Sequence, residues 1–229
     1  MDRIHLNIWR CFSLKNMRKT FERVALLALF MPIALAETSQ ISTSDESLDA
    51  MALSTVAETS QKSGNNVMAA KASEKAALLY LSLNDNTAAG NAQTTAGKAY
   101  AALGMHTKAA QNYKDAAISF GVGFKPSATI DAHLAAATSH KISGDFSKAA
   151  ESYSCAARAQ ATWSKYHEAG ESFHLAAHAH QTAGHKSQAI KAYQASATAY
   201  SQAGDSIAAE GSRLAANNLE QNIEMALAR

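Results

Sequence analysis

Residues 104–123 read GMHTKAAQNYKDAAISFGVG, residues 144–163 read GDFSKAAESYSCAARAQATW, and residues 184–203 read GHKSQAIKAYQASATAYSQA. Set 40 residues apart, the three share an opening glycine, and the first two share Lys108-Ala109-Ala110 and Lys148-Ala149-Ala150. Half that step organises a longer stretch. Small pairs recur every 20 residues at Ala76-Ala77, Ala96-Gly97, Ala116-Ala117, Ala136-Ala137, Ala156-Ala157, Ala176-Ala177 and Ser196-Ala197. A larger residue follows each pair (Tyr80, Tyr100, Phe120, His140, Gln160, His180, Tyr200), and a second series runs Tyr113, His133, Tyr153, Phe173, Tyr193. Several independent series at one spacing mark an internal repeat.

The physics of one unit follows from its spacing. Between 145 and 161, Ala149, Tyr153, Ala156, Ala157 and Gln160 lie at steps of 4, 3, 1 and 3, which is one side of a helix turning 100° per residue. Asp145 is placed to cap that helix, as are Asp85, Thr107 and Asp205 theirs. Gly104, Gly144, Gly184 and Gly204 stand where a helix ends and the chain reverses, a position that favours positive φ. The unit is therefore a helix of about 17 residues, roughly 25 Å long, followed by a turn of about three residues. Successive helices run antiparallel, and pairs of them form a 40-residue hairpin. Alanine buries little area, so no single helix is stable alone and the units must stack. One stretch departs from the rhythm: Gly121-Val122-Gly123-Phe124-Lys125-Pro126 predicts a longer, kinked corner, with Pro126 at or just before a helix start and Ser127 as its cap.

Composition agrees. Of 229 residues 51 are alanine, only 2 are proline and 7% are aromatic, so an all-α fold is expected; so little Val, Ile and aromatic content argues against a β-sandwich or barrel, and the missing strand-helix alternation against a doubly wound sheet. Residues 1–36 read as a cleavable export signal. Arg18, Lys19 and Arg23 precede the apolar run Val24 to Ala36, which closes on Ala34-Leu35-Ala36 before Glu37. That run is too short to cross a bilayer, which takes about 20 apolar residues. Met17-Arg18-Lys19 makes a more ordinary start for such a signal, so translation is expected to begin at Met17. Residues 37–66 form a Ser/Thr/acidic leader, in which Leu48, Met51, Ala52, Leu53, Val56 and Ala57 predict a capping helix stopped by Gly64-Asn65-Asn66. The repeat domain is placed at 67–219 and a C-terminal tail at 220–229. The expected location is the periplasm or the outside of the cell.

Without residues 1–36 the chain carries 15 basic and 17 acidic side chains, a balance that argues against nucleic acid or an anionic membrane as partner. Cys11 leaves with the signal, so Cys155 cannot form an intrachain disulfide. No cysteine follows the cleavage site, so no stable membrane anchor is expected after processing.

The hairpins, with glycine at the turn, then Ala-Ala and an aromatic residue (GDFSKAAESYSCAA from Gly144, GHKSQAIKAYQASATAY from Gly184), resemble tetratricopeptide (TPR) repeats. The standard TPR unit is shorter than 40 residues, and the phrase KYHEAGESFHLAAHAHQTAGHKSQAIKAYQASATAYSQAGD looks more like the soluble NSF attachment protein (SNAP) family. The likeness spans residues 67–219. It implies a right-handed solenoid of antiparallel helix pairs that binds a peptide or partner helix in its groove. SNAP proteins grip SNARE bundles with basic side chains and offer an acidic, leucine-bearing C-terminus. This chain has no basic excess after the signal and ends Glu224-Met-Ala-Leu-Ala-Arg229, so no site residues are carried over.

Seven of the nine histidines lie between 133 and 185. His167, Glu171, His174 and His178 fall at i, i+4, i+7 and i+11 on one helix face, with Ala169, Phe173, Ala176, Ala177 and His180 opposite. Histidines at i and i+4 can chelate a borderline metal and the carboxylate can add a ligand, so this face is the candidate metal site. His133, His140 and His180 take positions filled by Tyr or Phe elsewhere and read as partly buried spacers with one hydrogen-bond partner each. Cys155 reads as a buried neutral thiol, and Trp163 as packed at a helix junction. Nucleophile elbow, HExxH, CxxC and Walker signatures are missing, so no enzyme and no cofactor is expected. The leading reading is an exported protein-interaction scaffold with an unidentified protein partner. A periplasmic metal buffer using the histidine face, and a secreted factor imitating SNAP proteins, are the alternatives.

Overall fold

The computed structural model describes residues 43–227; the predicted signal segment and residues 37–42 lie outside them. Over the described residues nine helices follow one another without a strand: α1 (Thr43–Lys62), α2 (Asn66–Ser82), α3 (Asn86–Ala102), α4 (His106–Val122), α5 (Pro126–Ile142), α6 (Phe146–Thr162), α7 (Tyr166–Thr182), α8 (Lys186–Gln202) and α9 (Ser206–Leu227). From α2 to α8 every helix has 17 residues, and each is followed by a three-residue turn. α1 already belongs to the array, and α9 runs on through 220–227, where the sequence reading places a tail.

Each helix packs chiefly on its predecessor and its successor. The pairing is antiparallel: early Gly90 of α3 faces late Phe120 of α4, whereas late Gly97 faces earlier Tyr113. The small-residue series is the contact line, for Ala76, Ala96, Ala116, Ala136, Ala156 and Ala176 are each 0% exposed. Side chains of this size let helix axes approach the lower limit of about 8 Å. The rings of Tyr113, Phe120, Tyr153, Tyr193 and Tyr200 fill the space that remains and are buried. Stability in such an array comes from neighbour contacts more than from any one helix.

The turns repeat one hydrogen-bond pattern. After α5, Gly144 N donates to Lys141 O at 3.1 Å and Asp145 N to His140 O at 2.9 Å, a Schellman closure that requires a left-handed residue. After α4 the same pair forms, from Phe124 N to Gly121 O (3.2 Å) and from Lys125 N to Phe120 O (2.9 Å). The predicted long corner is therefore an ordinary three-residue turn, and what is unusual is that Phe124 takes the left-handed position at φ 53°. Asp85, Asp145 and Asp205 cap as predicted, each accepting from the backbone N–H three residues on at 2.9–3.1 Å. Thr107 and Ser127 do not. Their helices begin one residue before them, after Met105 and Lys125, so both lie within the first turn.

Candidate functional site

Because consecutive helices alternate in direction, the α2–α3, α4–α5, α6–α7 and α8–α9 turns lie at one edge of the stack and the remaining turns at the other. The second edge reverses through Gly64, Gly104, Gly144 and Gly184. The first reverses through Asn84, Phe124, Ser164 and Gly204, so three side chains there hold the left-handed backbone that glycine adopts without strain. For a residue as bulky as Phe124 that conformation costs roughly 1–2 kcal/mol. Burial does not repay it, since Phe124 is 86% exposed. Ile207 at the same edge is equally exposed, and Trp163 is 59% exposed, so the predicted junction packing of Trp163 is not found. Val122 adds a further exposed apolar side chain, while Lys125 and Lys165 flank the two aromatic turns at equivalent repeat positions. The other edge has exposed aliphatic groups such as Met105 and Ile142 but no large exposed aromatic ring among the described residues. The sequence reading noted the 121–126 irregularity and missed its content: an aromatic residue at a position where the repeat elsewhere places Gly, Asn or Ser.

The predicted metal face is split into separate contacts. His167 Nε2 lies 3.6 Å from Glu171 Oε1, and its Nδ1 lies 3.6 Å from Asp205 Oδ2 in the turn before α9. His167 also stands edge-on to Tyr200, with ring centroids 5.4 Å apart. His174, two turns along α7 and half-buried, is drawn to Tyr193, 5.1 Å between centroids, while His178 stays exposed. Burial, and then the nearby His178, hold His174 below the usual imidazole range. Among the described residues no three His, Cys, Asp or Glu side chains are grouped so that they could hold a metal ion. The i, i+4, i+7 spacing does align these residues on one face. The rings of α8 pull two of the histidines onto aromatic neighbours, so the four do not converge.

Of His133, His140 and His180, expected as spacers with one hydrogen-bond partner each, His140 departs most clearly from that expectation. His140 is 4% exposed, and among the described residues neither of its ring nitrogens has a hydrogen-bond partner; Nδ1 of His180 is likewise unpartnered among them. His133 is half-buried between α4 and α6, and burial, followed by Arg158 and Lys114, lowers its pKa to about 4. Cys155 is half-buried and receives a weak hydrogen bond from Arg158 Nη2 at 3.5 Å. No described helix is long and apolar enough to cross a membrane.

Antiparallel helices stacked at a 20-residue step, each resting on its sequence neighbours, define an all-α helical-repeat protein. No family model matches the chain, and no curated protein matches it. Among solved structures it is similar to BtubC (BKLC) from P. vanneervenii, with TM-score 0.45 and 14% identity over 98% of this chain and 93% of that one. It is also similar to the TPR-like repeats of a chain described as a kinesin light chain from Podosopora anserina (TM-score 0.45, 15% identity, 79% and 94% covered). The MamA protein is a third such structure (TM-score 0.35, 18% identity, 76% and 92% covered).

Proposed function

We propose that this protein is an exported, non-catalytic scaffold that docks a partner protein along the turn edge bearing Phe124, Trp163 and Ile207. The observation that carries this reading is Phe124 itself. It is a phenylalanine held in a strained left-handed turn with its ring in water, and it stands where a glycine would cost nothing. Exposed aromatic side chains of this kind become favourable when a partner buries them. The exposed Lys125 and Lys165 beside the two aromatic turns favour a partner segment in which apolar side chains are flanked by carboxylates. Export rests on the basic-apolar-small pattern that ends at Ala36.

Photo-crosslinking in the native cells tests the docking edge. A photoreactive residue at 124 or 163 is expected to give a discrete adduct that the same residue at Gly64 or Gly144, on the other edge, does not give. Equal labelling from both edges removes the reading. N-terminal sequencing of the exported protein is expected to begin at Glu37, and an intact N-terminus on the exported protein removes the export half.

A further inference from the structure

One position of the repeat carries a ring on three alternate helices: Tyr113 in α4, Tyr153 in α6 and Tyr193 in α8. Each of these rings is buried, and Tyr113 lies directly against Gly97 of α3. On α2 the same position is Ser73. The chain there leaves a cavity of about 160 Å³ between α1, α2 and α3, lined by Ala57, Glu58, Ser73, Tyr80, Asn91 and Ala92 among others. Ala57 stands 40 residues before Gly97, the residue that meets the Tyr113 ring, so the cavity occupies the slot a tyrosine fills one hairpin further on. Ser73 is 0% exposed, lines this cavity, and its hydroxyl has no hydrogen-bond partner among the described residues. Near it Ser54 Oγ donates to Tyr80 OH at 3.3 Å. A buried hydroxyl left unpaired costs about 1–3 kcal/mol, which an incoming polar group would recover.

We propose that this cavity is a binding site for one phenol-type ring. The cavity stands at the repeat position that a tyrosine ring fills one hairpin further on, and its volume is of the order that holds one benzene ring in an apolar cavity. A ring entering from solvent runs opposite to the internal tyrosines, so its hydroxyl leads and pairs with Ser73 once the wall that fully buries Ser73 in the free chain gives way, with Ala57, Ala88 and Ala92 among the groups beside the ring. This site stands on its own observations and does not depend on what the turn edge binds.

Saturation-transfer NMR and calorimetry of the purified chain with p-cresol test the site, with toluene as the ring lacking a hydroxyl. p-Cresol is expected to bind, and to bind more tightly than toluene. Ser73→Tyr, which restores the internal ring, is expected to abolish binding and raise the unfolding temperature. Ser73→Ala, which keeps the space and removes only the hydroxyl, is expected to weaken p-cresol about five- to tenfold and leave toluene unchanged. N-acetyl-tyrosinamide separates the sources: binding alongside p-cresol assigns the site to a partner's tyrosine side chain, and its rejection while p-cresol binds assigns it to a free small phenol. No p-cresol binding at millimolar concentration, or binding untouched in both Ser73 variants, overturns the site.

Discussion

Replacing Gly170 by alanine puts two effects of similar size in opposition. An alanine inside a helix is favoured over glycine by about 0.5–1 kcal/mol, because the unfolded glycine has more freedom to lose. A Cβ at Gly170, however, would stand 2.7–2.8 Å from Cδ1, Cε1 and Cγ of Tyr200. Those atoms belong to the fixed root of a buried ring and cannot swing aside as a side-chain tip can. Forcing carbon into a filled contact costs about 1–3 kcal/mol. Gly170→Ala should therefore destabilise by about 1 kcal/mol net. Gly211 in α9 is the control, since nothing among the described residues lies within 4 Å of where its Cβ would stand. Gly211→Ala should gain the full propensity term, about 0.5–1 kcal/mol. Urea unfolding followed by circular dichroism measures both, and trimming the ring with Tyr200→Leu should remove most of the penalty at 170 in a double-mutant cycle. If Gly170→Ala stabilises as much as Gly211→Ala, the close approach of α7 and α8 through glycine is wrong.

Burial lowers the pKa of His133 to about 4, against about 6.5 in the unfolded chain, so its stabilising effect is complete above pH 6.5 and is lost as pH falls toward 4. At pH 5 that loss is about 2 kcal/mol, and His133→Gln, the residue that Gln93 supplies at the matching position of α3, should shrink the stability difference between pH 7 and pH 5 by that order in urea titrations. Phe124→Gly should raise the unfolding midpoint by relieving about 1 kcal/mol of backbone strain while abolishing the adduct that a photoreactive residue at 163 gives; a lower midpoint would mean that the ring is held by contacts in the free chain. Asp145→Ala should cost about 1 kcal/mol by orphaning the Lys148 N–H, and Thr107→Ala, at a residue that makes no cap, should cost much less.

The architecture was legible in the sequence because its determinant is local and periodic. An alanine pair every 20 residues can only be the contact line of a helix of fixed length, and the described helices α2 to α8 all have 17 residues. The Asp85, Asp145 and Asp205 caps were legible for the same reason, each standing just outside a helix start. The Thr107 and Ser127 caps were not, because a shift of one residue in the helix start moves a hydroxyl from outside the first turn to inside it. The histidine face was legible as a face, but where its side chains rest was not: helical spacing fixes which way side chains leave α7, and Tyr193 and Tyr200 on α8 stand against His174 and His167. Phe124 and Ser73 were missed as departures from the repeat. Extending the ring series Tyr193, Tyr153, Tyr113 back by one further 40-residue step lands on Ser73, and extending the glycine turns by 20 lands on Phe124, so both signals were present as exceptions to the pattern.

Removal of one whole repeat tests the stacked array most directly. Deleting residues 104–143 excises α4 and α5 and joins Leu103 to Gly144, placing α3 against α6 in the register that α5 had, with Gly97 opposite Tyr153 in place of Ala137. Units that depend only on their neighbours should yield a shorter chain with unchanged helicity per residue and a single cooperative urea transition at lower midpoint. A chain that loses its helical signal, or melts without a transition, would contradict the nearest-neighbour array.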